Sequence, residues 1–131
     1  MSATGGSRLD LARLIRIRTM CEDAATRPLS SIAVGAFAES TNHLWLEVVN
    51  VLRQDAELRD EFLRLFPDQL ETEPDPDEEQ GLLGVARFRC GQIGAWIAGL
   101  VEFRTLEQRI RAEAEETARL RARQPPGFSA T

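Results

Sequence analysis

The residue types that most often carry chemistry are scarce in this chain. His43 is the only histidine, and Cys21 and Cys90 are the only cysteines among 131 residues. Glu39 and Glu47 each lie four positions from His43, so in a helix the three side chains share one face. Such a face can contribute to a carboxylate-bridged metal site, but that kind of site needs ligands from several helices. No second contributor is evident, which favours a solvated helix face.

No motif for catalysis or cofactor binding accompanies these residues. The sequence has no Cys-x-x-Cys pair, no phosphate-binding glycine loop and no dinucleotide fingerprint. No Cys-His or Ser-His-acid arrangement can be placed either. The sequence therefore predicts no catalytic residue, no metal and no cofactor. An enzyme with a carboxylate metal site remains as a minor alternative.

Composition narrows the class of partner. The net charge of −5 argues against a nucleic-acid binder, and the apolar fraction of 43% is that of a globular protein. The first residues lack the basic and apolar stretches of a signal peptide, and Arg or Glu interrupts every apolar stretch before membrane-spanning length. Two cysteines do not make a disulfide framework, so free thiols in a reducing cytoplasm are expected. We therefore expect a cytoplasmic protein with no membrane partner.

Apolar residues at helical spacing predict four helices. The first spans residues 7–27, the second 29–53, and the short third helix 55–67, where Asp55 is the expected N-cap. The fourth spans 79–124 and is interrupted only by glycines. The predicted fold is all-α: an antiparallel four-helix bundle with a long, protruding C-terminal helix.

The domain organisation follows from the same pattern. Residues 1–7 are small and polar and predict a disordered start, 8–124 form one helical domain, and 125–131 form a short C-terminal tail. Within the domain, residues 67–79 predict an acidic, solvated linker, because positions 68–79 hold seven acids and two prolines. An anion-sensitive docking loop is the alternative for this linker.

Two stretches suggest contact with another chain. Residues 31–38 carry no charge and are apolar almost all round, which is typical of a helix buried on every side. Gly91, Ala95 and Gly99 form a small-residue stripe at a spacing of four, which lets another helix approach closely. Packing within the monomer and packing between subunits both explain this stripe. The candidate oligomer or partner interface comprises Ile32, Val34, Phe37, Gly91, Ala95, Trp96 and Gly99.

The fourth helix also carries a longer apolar pattern. Seven residues fall on one heptad-like seam, which is strong at first and fades to Ala and Thr. The seam comprises Ile93, Trp96, Leu100, Phe103, Ile110, Ala114 and Thr117. A helix longer than the core of its own domain usually packs on a neighbour, so we expect a homo-oligomer.

Several runs in a fixed order carry a family resemblance. Pro28-Leu29 opens the second helix, residues 55–62 read Asp-Ala-Glu-Leu-Arg-Asp-Glu-Phe, and residues 92–100 read Gln-Ile-Gly-Ala-Trp-Ile-Ala-Gly-Leu. An acidic linker lies between these runs, and Pro-Pro-Gly follows at 125–127. This order resembles the bacterial proteasome activator family of actinobacteria. Its segments Ala-Pro-Glu-Leu-Arg-Glu-Glu-Leu and Gln-Leu-Val-Gly-Trp-Leu-Glu-Gly-Leu are similar to the two longer runs.

The resemblance implies an ATP-independent ring of four-helix subunits, with itself and a proteasome-related protein as partners. Family members end in Gly-Gln-Tyr-Leu, which inserts into proteasome pockets, whereas this chain contains no Tyr. Residues 32–37 are also apolar where the family is polar. We therefore expect a divergent, non-enzymatic, protein-binding homo-oligomer that does not dock on the proteasome through its C-terminus. The alternative is an unrelated helical adaptor or structural assembly protein.

Overall fold

The structure, a computed structural model, describes residues 9–28 and 33–123. This part of the chain is all-helical and contains no strand, which confirms the predicted fold class, including a long fourth helix. The elements are α1 (Leu11–Thr26), α2 (Val34–Val51), α3 (Ala56–Leu65), one 3₁₀ turn (Pro76–Glu78) and α4 (Glu79–Ala122). None of the described helices is long and apolar enough to cross a membrane.

Side-chain caps explain where two helices begin. The predicted cap of α3 is confirmed, because the Asp55 side chain accepts a hydrogen bond from the Leu58 backbone N–H at 3.2 Å. Asp10 caps α1 in the same way and accepts from the Arg13 N–H at 3.0 Å. Residue 7, where the first helix is expected to begin, lies outside the described residues, as do residues 29–32, where the second helix is expected to begin.

The core is mostly aliphatic and is assembled from one face of each helix. α1 contributes Leu14, Ile17 and Cys21, which recur at helical spacing and are almost fully buried. α2 contributes five buried residues: Phe37, Ala38, Thr41, Leu44 and Val48. The first part of α4 contributes Leu83, Ala86, Cys90, Ile93 and Ile97. The one buried polar side chain among the described residues is Thr41, whose hydroxyl donates to the Phe37 carbonyl at 3.0 Å.

Four aromatic rings close one end of this core. Phe62 of α3 has no exposed surface, and its ring centroid lies 5.0 Å from Phe66 and 5.1 Å from Trp96. The ring of Trp45 is 6.5 Å away, and its indole N–H donates to the Phe66 carbonyl at 2.7 Å. These contacts attach α3 to both α2 and α4, since tilted aromatic pairs add specific packing energy to area burial.

The acidic segment after α3 is held to the helices, although most of its charged side chains are exposed. Asn42 of α2 bonds the Leu70 backbone twice, donating to its carbonyl at 2.8 Å and accepting from its N–H at 2.7 Å. Arg89 of α4 donates to the Asp68 carbonyl at 2.7 Å. The predicted solvated linker is therefore charged on its outside but fixed through its backbone.

The chain divides into two units, residues 1–98 and 99–131, and the division falls within α4. In the second unit the described residues continue α4 to Ala122. Most of their side chains are exposed, and Arg104 and Glu107 form an ion pair at 3.6 Å.

Candidate functional site

One face of α4 within the first unit is exposed and apolar. Gly84, Val85, Phe88, Gly91 and Ala95 are all exposed, and their spacing places them along one side of the helix. We call this set the outer face of α4. Phe88 is 68% exposed, more than any other large apolar residue described. Together with Val85 and Ala95, Phe88 makes this side of the helix an exposed apolar strip.

Packing among the described residues does not explain the glycines of this face. A Cβ built at Gly84 or at Gly91 would meet no atom within 4 Å. Glycine inside a helix is less stable than alanine by about 1 kcal/mol. Nothing within the described residues uses the space that these two glycines leave, so the space is available to another chain.

Gly94 lies beside the outer face, at the edge where α4 turns towards the core, and shows the contrasting case. It is buried, and a Cβ there would lie 3.4 Å from Cys21 Cβ and 3.8 Å from the Arg18 carbonyl oxygen. At Gly94, therefore, α1 packs directly against α4. The small residues of α4 thus lie in two environments. Gly94 is in contact with α1, whereas Gly84 and Gly91 lie on the exposed outer face.

The residues predicted as an interface are divided among several environments. Gly91 and Ala95 lie together on the outer face of α4, and Gly99, in the second unit, is also exposed with no atom within 4 Å of an added Cβ. Val34 is half-buried, and Phe37 is 4% exposed and belongs to the core of the chain itself. Ile32 lies outside the described residues.

Trp96 is held inside the chain as well. It is half-buried, its ring packs on Phe62, and its indole N–H donates to Glu61 Oε2 at 3.0 Å. An indole whose N–H and ring both have partners is positioned for packing between α3 and α4. The sequence reasoning missed Phe88, although its spacing of three from Gly91 and seven from Ala95 places it on the same helix face.

A groove lies between α1 and α2. It has a volume of about 770 Å³, and its lining includes the side chains of Met20, Leu46, Asp23 and Glu39. Met20 is 46% exposed and Leu46 is 49% exposed. The groove is open and of mixed polarity, which suits contact with a polypeptide better than enclosure of a small molecule.

The two thiols are placed as packing residues. Cys21 and Cys90 are free and buried, and the Cys90 sulfur lies 3.3 Å from the Thr41 hydroxyl. Burial raises the pKa of both thiols, and that of Cys21 reaches about 12. A thiol that stays protonated is a poor nucleophile and a poor metal ligand.

The face of α2 that carries the histidine is solvated. His43 is exposed, and its Nε2 lies 3.9 Å from Glu47 Oε1. The residues that the structure describes contain no group of three His, Cys, Asp or Glu side chains that could hold a metal ion. Glu39 and Glu47 therefore meet no further ligand from a second described helix.

Comparison with known proteins gives no family for this chain. No family model, no curated protein and no solved structure matches it. The structure by itself defines an all-α protein with a long fourth helix and an exposed apolar helix face.

Proposed function

We propose that this chain is a non-catalytic, protein-binding protein that assembles with copies of itself into a homo-oligomer larger than a dimer. The outer face of α4 carries the proposal, because it combines a phenyl ring that is 68% exposed with helix glycines that have open space around them. A second copy that lays a helix along this face would bury Phe88 and use the space at Gly84 and Gly91.

The placement of the thiols and of the histidine among the described residues supports a binding role. The thiols of Cys21 and Cys90 are buried with raised pKa values, and His43 is exposed, with its Nε2 3.9 Å from Glu47 Oε1. Two free thiols also fit a reducing compartment, which supports a cytoplasmic location.

We infer an antiparallel four-helix bundle as the arrangement of the first unit. Two contacts between α1 and α4 support it. Arg18 and Cys21 of α1 lie beside Gly94 of α4. Further along α1, the Ala25 carbonyl accepts a hydrogen bond from Arg87 Nε at 2.9 Å, and Arg87 comes earlier in α4 than Gly94. Residue numbers therefore rise along α1 as they fall along α4, as opposite helix directions require.

The more specific form of the proposal is a ring similar to the bacterial proteasome activator. Its support is the order of short runs in the sequence, above all residues 92–100 around Trp96. The partner of such a ring would be another protein, either a proteasome-related protein or an unrelated one. Class averages by negative-stain electron microscopy test this form: closed rings with a central pore support it, and open or irregular particles contradict it.

An unrelated helical adaptor is the second candidate function. The groove between α1 and α2 favours it, since half-exposed Met20 and Leu46 beside charged Asp23 and Glu39 resemble the surfaces on which amphipathic helices dock. In this case the purified chain would be monomeric and would bind its partner through the groove.

Solution mass decides between the two candidates. Size-exclusion chromatography with light scattering at micromolar concentration should give a mass well above twice 14.6 kDa if the proposal is correct. A mass of one chain would overturn the homo-oligomer and favour the adaptor.

A further inference from the structure

The helix of the second unit has an apolar face that no described residue covers. Its large apolar side chains are each at least half exposed: Phe103 59%, Leu106 50%, Ile110 57% and Leu120 53%. The other described residues from 108 to 123 are also exposed. A helix this solvated is short of tertiary packing, which supplies most helical stability in proteins.

These apolar residues define a heptad register. The a positions are Phe103, Ile110 and Thr117. The d positions are Leu106, Glu113 and Leu120. The register covers about three heptads, or about 30 Å of helix at 1.5 Å per residue. It is the length of a short two-stranded coiled coil.

We propose that this segment pairs with the same segment of a second copy as an antiparallel coiled coil with two-fold symmetry. Antiparallel pairing sets a residues against d residues of the other chain. Phe103 then faces Leu120 of the second copy, and Ile110 faces its Glu113. Because the interface is symmetric, each pair occurs twice.

Charge complementarity identifies the second copy as the occupant and sets the direction. In the antiparallel register the g residues of the two chains face each other, which pairs Glu102 with Arg123 and Arg109 with Glu116. Both pairs join opposite charges. The e positions, Leu100 with Arg121 and Glu107 with Ala114, bring no like charges together.

The parallel alternative fits less well. There each g residue faces the e residue of the next heptad in the other chain. Glu102 would face Glu107, which is repulsive, and Arg109 would face the uncharged Ala114. The one attractive pair would be Glu116 with Arg121. In the parallel arrangement the repulsive pair therefore offsets the attractive pair. In the antiparallel arrangement both charged g pairs are attractive.

Exposed charge pairs contribute little affinity, so their effect is on direction and register. The affinity comes from the four large apolar side chains, and Glu113 at a central d position weakens it. We therefore expect a modest, concentration-dependent association. This contact is separate from the outer face of α4 and adds a second self-association surface to the proposed assembly.

Charge reversal in the full-length chain tests the pairing. Arg109→Glu places like charges opposite Glu116 and should weaken self-association about tenfold. The double variant Arg109→Glu with Glu116→Arg should restore it. Arg111→Glu is the matched control, since residue 111 is exposed and lies at a b position away from the partner helix. Circular dichroism checks that helix content is equal in all variants.

Disulfide trapping tests the direction independently. Single variants Leu106→Cys and Thr117→Cys should cross-link with each other when mixed but not with themselves, because like positions lie eleven residues, about 16 Å, apart along the helix in the antiparallel register. The native Cys21 and Cys90 are at most 1% exposed and should stay unreacted in the folded chain. Cross-linking of Leu106→Cys with itself would show parallel pairing and would overturn the inference.

The remaining outcomes separate this inference from the proposed function. If the chain is oligomeric but neither charge reversal nor trapping has an effect, this pairing is wrong and the assembly through the outer face of α4 stands. If the chain is a monomer at all concentrations, both are wrong, and the apolar face belongs to a different protein partner.

Discussion

The backbone oxygen of Thr72 lies 2.7 Å from the position that a Cβ at Gly35 would occupy. The acidic segment therefore passes directly over the first turn of α2, where only glycine leaves room for a peptide group. This contact, together with the hydrogen bonds of Asn42, makes a charged and mostly exposed segment part of the folded structure.

Replacement of Gly35 by alanine should destabilise the protein. An added methyl group would push against the Thr72 backbone, and overpacking of this kind costs about 1–3 kcal/mol, which exceeds the gain in helix propensity. Gly81→Ala is the control, because a Cβ at Gly81 meets nothing within 4 Å. Urea denaturation should show a lower midpoint for Gly35→Ala and an equal or higher one for Gly81→Ala. Equal gains at both sites would contradict the close contact.

Replacement of Asn42 by alanine should release the acidic segment. It removes two hydrogen bonds to Leu70, each contributing about 1 kcal/mol. Hydrogen exchange at the Leu70 amide should become faster, and the unfolding midpoint should fall. Asn50→Ala, at an exposed position of the same helix, should change neither. Unchanged exchange at Leu70 in the Asn42 variant would mean that other contacts hold the segment.

The buried thiol of Cys21 should make stability fall in alkaline solution. Burial, with a smaller effect of nearby Cys90, raises its folded-state pKa from 9.0 to about 12. Above about pH 9 the unfolded chain loses this proton while the folded chain keeps it, so the unfolded state gains stability as pH rises towards 12. Cys21→Ala should therefore show a shallower fall in urea midpoint between about pH 8 and about pH 10. Identical slopes for the two proteins would refute this account.

The elements with local signals were predictable from the sequence. Helical spacing of apolar residues predicted α1, although it did not say which apolar stripe is buried, and Asp55 marked the start of α3. Pro67 lies just beyond the last residues of α3, where a helix cannot continue easily. These features depend on residues within one or two helical turns, which a sequence shows directly.

The contacts between distant segments were not predictable in the same way. Asn42 and Leu70 are 28 positions apart and are joined through a peptide group, which leaves no pattern of side-chain types. The apolar stretch 31–38 was interpreted as a surface for another subunit. In the described part of that stretch, Phe37 lies in the core and Thr72 covers Gly35, so the chain supplies some of the cover itself.

The heptad-like seam of α4 shows the same limit. Its first residues, Ile93 and Leu100, are buried, whereas Phe103 and Ile110 are more than half exposed. A sequence pattern places these residues on one helix face, but it does not say which part of that face the chain itself can cover. The exposed part is the one that self-association through the second-unit helix would bury.

Sedimentation velocity of the wild-type chain beside Ala95→Arg tests the central claim, that the outer face of α4 joins copies of this chain. Ala95 is exposed, so the substitution should leave the fold of the single chain intact while placing a charged, bulky side chain between Gly91 and a neighbouring helix. Ala12→Arg, the same change at an exposed position of α1, is the matched control. We predict an oligomer larger than a dimer for the wild type and for Ala12→Arg, and a smaller species for Ala95→Arg. Equal sedimentation of all three proteins would contradict the account.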